Sequence, residues 1–253
     1  KNKDLWEIDC SNLHNISIHY QYYAAELNAG STYLDQNQLY INPVNCMFYN
    51  VDNYELGYEV EFDIPNDYQI FSSLNQSSNN ILTASNYEEL ADSPIVISNN
   101  SQSESIIVNR INFTFCFQGE VKVNWDRIFK DFKLFIQYQI QVFGSFPHKK
   151  FLFLFQITPY SSYHGVEHHK STVILLGPSY NIFNSFYTEL LGISSHELYH
   201  VWNVKNIRPK AMLPYNFSVE NYTDMGYVTE GVTTYMGDRI LFESGVFSLD
   251  QYF

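Results

Sequence analysis

Apolar and polar residues alternate along the first half of the chain, then recur at helical spacing along the second. Ile16 to Tyr22 alternates with the period of a half-buried strand, and Tyr58 to Ile64 does so more cleanly. Ile106 to Phe117 adds a third strand-rich stretch, while polar residues 72–80 and 98–105 read as loops. The pattern predicts a small antiparallel β-sandwich. From Asp126 the period changes. Ile128, Phe129, Phe132, Phe135, Ile136 and Ile140 mark one helix face, with Asp126 near its start and Gly144 past its end. Phe151 to Ile157 reads as a buried strand. Phe186, Leu190, Leu191 and Ile193 mark a further helix, expected to run on until Arg208-Pro209 disfavours the α region. The class is therefore α+β, with a boundary expected near residue 125: a β-domain over 1–125 and a second domain over 126–253.

Composition narrows the function. The 253 residues are 45% hydrophobic, with 21 Tyr and 20 Phe, enough for a sizeable core. A net charge of -13 and the lack of any Lys/Arg run exclude a phosphate track, so nucleic acid is not an expected partner. The same acidity disfavours an anionic membrane surface, and no apolar run is long enough to span a bilayer. Of three cysteines none forms a C-x-x-C pair, which removes a zinc knuckle or redox motif. Cys46 and Cys116 are expected as buried free thiols, with pairing open in an oxidising compartment. The chain opens on Lys1 without a signal peptide, which suggests a processed or trimmed form of a longer protein.

The chemistry concentrates in His196-Glu197-Leu198-Tyr199-His200. On a helix, i and i+4 share a face, so the two imidazoles can reach one metal ion. Glu197 then lies beside that ion, placed to take a proton from bound water. Small residues before His196 (Gly192, Ser194, Ser195) suit a tightly packed helix. A catalytic zinc site needs a third protein ligand. Glu230, thirty residues past His200 among aromatic and β-branched neighbours, is the best candidate. It can also be read as a helix N-terminal acid beside Gly231. Asp224 and Asp238 are weaker rivals, Asp238 being better suited to orient a ligand His. His168 reads as a cleft or packing residue and His169 as solvent-facing. Tyr199 and Trp202 read as core. Lys205 and Arg208 either pair with acids near the cleft or lie at a solvated helix end.

Four stretches together resemble the M61 metallopeptidases, the glycyl aminopeptidase family. HELYHVWNVKNIRP (196–209) resembles the family's active-site helix, and ENYTDMGYVTEGVTTY (220–235) its third-ligand segment. YHGVEHHKST (163–172) is similar to its G-G-x-E-H-x-x-S-T segment, and FGSFPHKKFLFL (143–154) to the turn and strand before it. The resemblance is strongest from residue 126 onward. It implies a thermolysin-like (gluzincin) catalytic domain after the β-sandwich, C-terminally incomplete here, since the family's domain continues further. It implies Zn2+ held by His196, His200 and Glu230, with Glu197 as general base and proton shuttle. Glu167 would anchor the α-amino group of a peptide substrate, and Gly165 would let the substrate approach the backbone. Two departures bear on substrate preference: the paired glycines read His164-Gly165, and Tyr227 stands where Trp is commoner. The implied activity is an aminopeptidase preferring small N-terminal residues such as Gly or Ala. The alternatives are an endopeptidase using the same site, or a non-catalytic peptide-binding or scaffold fragment. The expected compartment leans to the cell envelope or secretion.

Overall fold

The computed structural model describes residues 5–253. Its first strands are β1 (Tyr33–Leu34), β2 (Gln38–Ile41), β3 (Tyr58–Glu61), β4 (Gln69–Ser72), β5 (Asn75–Ser78) and β6 (Ile81–Ala84). A short helix α1 (Tyr87–Ala91) leads into β7 (Ile95–Ser98). They form two antiparallel sheets, ordered β1-β2-β7-β4 and β3-β6-β5. Ile41, Leu74, Leu82, Tyr87, Leu90, Ile95 and Ile97 form their shared core.

A third, mixed sheet follows. The hairpin β8 (Ser101–Val108) and β9 (Ile111–Gln118) precedes α2 (Trp125–Phe143), then β10 (Lys150–Ile157), β11 (Ser162–Glu167) and β12 (Ser171–Gly177). The order is β11-β12-β10-β9-β8, with β10 parallel to both β9 and β12. Side chains on successive strand residues leave opposite faces. Phe113, Phe115 and Phe117 register with Phe151, Phe153 and Phe155 and meet the helices, with the Phe117 and Phe155 rings stacked at 4.2 Å. Cys116, Leu152, Leu154 and Val173 face the other way, against Tyr40 and Val96 of the first sheet. The helical layer is completed by α3 (Tyr187–Tyr199), α4 (Thr233–Glu243) and α5 (Leu249–Tyr252). The α+β class and its antiparallel sheets agree with the pattern of apolar positions.

Helix α2 begins where Asn124 accepts a hydrogen bond from the Arg127 N–H, and it ends at Gly144 with φ 82°. Four expectations need correction. Ile16 to Tyr22 is not a strand. It is exposed throughout, with no partner to use its alternation; Tyr20 Oη donates to the Cys46 carbonyl at 2.7 Å. Residues 72–80 and 98–105 are not loops throughout, because β5 and the start of β8 lie there. Both are edge strands, whose polar residues face water. A division at residue 125 would separate β9 from β10, yet these two pair in parallel over seven registered residues. The break in sheet pairing instead lies between β7 and β8. Finally, α3 stops at Tyr199, well before Arg208-Pro209. All three cysteines are free, and burial pushes the Cys116 thiol up to about 12. No helix among the described residues is long and apolar enough to cross a membrane.

Candidate metal centre

Helix α3 carries its two imidazoles on a buried scaffold of small side chains. Ser194 and Ser195 are fully buried. Gln139 of α2 donates to the Ser195 carbonyl at 2.9 Å, and Ser195 Oγ donates to the Gly237 carbonyl of α4 at 2.8 Å. A Cβ on Gly237 would lie 3.2 Å from the His196 Cα, so the absence of a side chain there lets α4 approach at His196 itself. His200 caps the helix in the α region, keeping the i, i+4 relation. Its Nδ1–H donates to the Asn203 carbonyl at 2.7 Å, which directs Nε2 into the cluster. The backbone turns directly after it, with the Lys205 N–H donating to the His200 carbonyl at 3.0 Å, so the helix ends here rather than at Pro209.

Glu230 arrives from a π-helical segment, Tyr227–Val232, that runs straight into α4. Such wide turns recur at functional sites. Asn203 Nδ2 donates to the Val228 carbonyl at 2.8 Å and to Thr233 Oγ1 at 2.9 Å; Thr233 Oγ1 donates to the Thr229 carbonyl at 2.6 Å. One side chain thus joins the loop after His200 to the turn bearing Glu230. The carboxylate does not point away as a helix-start acid would. Its Oε2 lies 3.4 Å from His196 Nε2 and 3.6 Å from His200 Nε2, and the two Nε2 atoms are 3.0 Å apart. Ligand bonds of about 2.0–2.1 Å in tetrahedral geometry separate neighbouring ligand atoms by about 3.3 Å. The donor set therefore fits a zinc-sized ion without rearrangement. His196 Nδ1 meets Thr234 Oγ1 at 3.5 Å, so Thr234 takes the orienting place expected of Asp238.

Glu197 is 5% exposed and its Oε2 has no hydrogen-bond partner among the described residues. A Cβ on Gly165 would overlap Glu197 Oε1 and lie 2.7 Å from Cδ. Gly165 thus makes room for Glu197, a more immediate reason for glycine than substrate approach. Burial first, then the charges of Glu167 and Glu230, push Glu197 up to about 8, against the pull of His200. Burial alone would lower His200, but Glu230, Glu167 and Glu197 together raise it to about 9. The adjacent imidazoles of His196 and His200 hold Glu230 far below the usual carboxylate range. Glu167, Glu197 and His200 bring one atom each within 4.8 Å of one another, so Glu167 faces the same cleft. A cavity of about 300 Å³ opens beside Glu167, walled by Val166, Lys205 and Phe217. His164 is engaged elsewhere: its Nδ1 accepts the Ala29 N–H at 3.3 Å.

Of the remaining residues, Trp202 and Tyr199 are core, with Trp202 stacked on Phe143 at 4.4 Å. His168 is buried. His169 is half-buried against His148 rather than facing solvent. Lys205 and Arg208 pair with Asp92 and Glu88 at 3.0 and 2.9 Å, which decides for pairing over a solvated helix end. Asn203, Thr234, Gly237 and Asp92 were not singled out from sequence. Nothing in their immediate neighbours marks them.

A sequence profile of the Peptidase M61 N-terminal domain matches residues 1–99, and one of the M61 glycyl aminopeptidase matches residues 189–253. This chain belongs to the M61 peptidase family. The second match contains His196, Glu197, His200 and Glu230; Gly165 and Glu167 lie between the two. Among solved structures, the M61 chain is similar to an aminopeptidase N family protein from Idiomarina loihiensis. The TM-score is 0.83 at 28% identity, over 91% of this chain and 41% of that one. It also resembles an M1 zinc metallopeptidase from Deinococcus radiodurans, with TM-score 0.55 at 11% identity, over 85% of this chain and 48% of that one. At that identity the likeness speaks for the fold alone. The chain thus spans less than half the length of either protein. No match was found among curated proteins.

Proposed function

We propose that this M61 chain forms the active site of a zinc-dependent aminopeptidase that removes small N-terminal residues, Gly or Ala, from peptides. The observation that carries the reading is the convergence of His196 Nε2, His200 Nε2 and Glu230 Oε2 at ligand spacing. Zinc bound there would supply Lewis acidity at the scissile carbonyl and lower the pKa of water toward neutrality. Glu197, whose Oε2 has no hydrogen-bond partner among the described residues and whose ionised form a cation in the cluster would favour, accepts a proton from the attacking water and returns it to the departing amine. Glu167 holds the substrate's α-ammonium by a charge-assisted hydrogen bond. This also screens the negative charge that Glu167 otherwise presents to Glu197. The preference for a small residue is supported by the description of the matching family as glycyl aminopeptidase. The same reading takes the β8–β12 sheet with α2–α4 as a thermolysin-like (gluzincin) catalytic domain, and the two preceding sheets as its support.

Elemental mass spectrometry on protein purified in metal-free buffers is expected to give close to one zinc per chain. Glu197→Gln should keep that zinc and lower turnover of alanine p-nitroanilide by about 10³-fold. A variant with near-normal rates would remove Glu197 from its role. Glu167→Ala should harm unblocked substrates far more than N-acetylated ones. Equal losses on both would favour an endopeptidase.

A further inference from the structure

One carboxylate of the N-terminal sheets reaches into both walls of the cleft. Asp92, which caps the C-terminus of α1, accepts hydrogen bonds from three directions. His168 Nδ1 lies 3.0 Å from Oδ1, the His169 N–H 2.9 Å from Oδ2, and Lys205 Nζ 3.0 Å from Oδ2. His168 directly follows Glu167 at the end of β11. Lys205 is 8% exposed, and its own N–H donates to the His200 carbonyl at 3.0 Å. So Asp92 grips the strand end carrying the expected amine anchor. It also grips the loop that continues from a metal ligand, across sequence separations of 76 and 113 residues. A buried cation and a buried imidazole both depend on it, and breaking one partner of such a cluster strands the others.

We propose that Asp92 is a positioning residue for the site, setting the gap between Glu167 and the His200 loop that a peptide's free amino terminus must bridge. This rests on the aminopeptidase reading. Asp92 belongs to neither carboxylate–imidazole cluster and lies in the wall of the cavity beside Glu167. Its effect comes through alignment, where a displacement of about 1 Å can cost about 10²-fold in rate. It also gives the N-terminal sheets a part in the chemistry: a domain with no catalytic group of its own fixes the geometry of one that has them.

The test uses Asp92→Asn combined with Lys205→Met, which removes both charges together, so that no lone buried cation threatens folding. Hydrogen exchange is expected to rise about tenfold or more in residues 166–170 and 203–208, with α2 unchanged. Metal content should stay at the wild-type value. For alanine p-nitroanilide, KM should rise about tenfold and kcat/KM fall by about 10²-fold. Unchanged exchange in both segments would overturn the proposal. So would a general rise that includes α2 with KM within about twofold of wild type, since that marks a purely stabilising ion pair. If the wild-type protein does not cleave unblocked substrates at all, the aminopeptidase reading falls, while the exchange data still decide whether Asp92 joins the two walls.

Discussion

Helix α3 delivers His196 and His200 from the interior, with His200 1% exposed and Ser194 and Ser195 fully buried behind them. Glu230 comes from the opposite situation, its side chain 61% exposed on a π-helical turn. The imidazole side is held by packing, and its neighbours have little room to move. The carboxylate side is held by a few hydrogen bonds, two of them through Asn203. The contrast teaches where errors are tolerated. A change on the first side should disturb fold and chemistry together, whereas a change on the second should disturb metal binding and leave the fold intact.

Gly165→Ala presses hardest on the crowded side. The new methyl group has to displace the Glu197 carboxylate, and turnover is expected to fall by about 10²-fold or more in steady-state assays. Glu230→Ala tests the open side. Zinc affinity, measured by competition with a chromogenic chelator, should fall by more than about 10²-fold, the upper end for a mere supporting group. The metal-free fold should persist, losing only the pairing of Glu230 with the two imidazoles, because the position is exposed. Should Glu230→Ala unfold the metal-free protein, the contrast is wrong. Asn203→Ala addresses the link between the sides and should weaken zinc by about 10–100-fold. An acid series gives the smallest effect and a baseline away from the centre. Burial, aided by the charges of His169 and Lys170, holds His148 down to about 4 from 6.5. The folded state therefore favours the neutral ring, and stability is lost as pH falls from about 6.5 toward 4. Burial of Glu89 is outweighed by hydrogen bonds from Lys170 and Ser85, which lower it to about 2. Its contribution is present above its ordinary value of 4.5 and disappears as pH falls through about 2. Melting temperature against pH should show both stages, and His148→Gln should remove the upper one, worth under about 1 kcal/mol at this exposure.

What the sequence disclosed follows from the range of the forces involved. The start and stop of α2 are local, written in Asn124 and Gly144, and so they could be read directly. The pair His196 and His200 is also local, four residues apart on one helix. Ile16 to Tyr22 has the period of a strand but no partner, and pairing is a property of two segments. The π-turn at Glu230 was hidden because its i→i+5 bonding has no residue signature, although Glu230 itself stood out as an acid among apolar neighbours. Asp92 was invisible for the plainest reason. It lies 76 residues from His168 and 113 from Lys205, and only the fold brings them together.

The parallel placement of β10 between β9 and β12 has a consequence in time. Before those strands pair, α2 must be crossed and chain ends far apart in sequence must be closed, so this sheet is expected to set the pace of folding. His196, His200 and Glu230 converge only once α3 has packed on that sheet and α4, with the turn at Glu230, has packed on α3. A half-folded chain accordingly lacks the assembled cluster. Zinc bound at the cluster as proposed should therefore extend the lifetime of the finished protein while leaving the rate of its formation unchanged. Stopped-flow refolding and unfolding with and without zinc would show one limb moving and the other still; acceleration of refolding would mean that the ligands gather early.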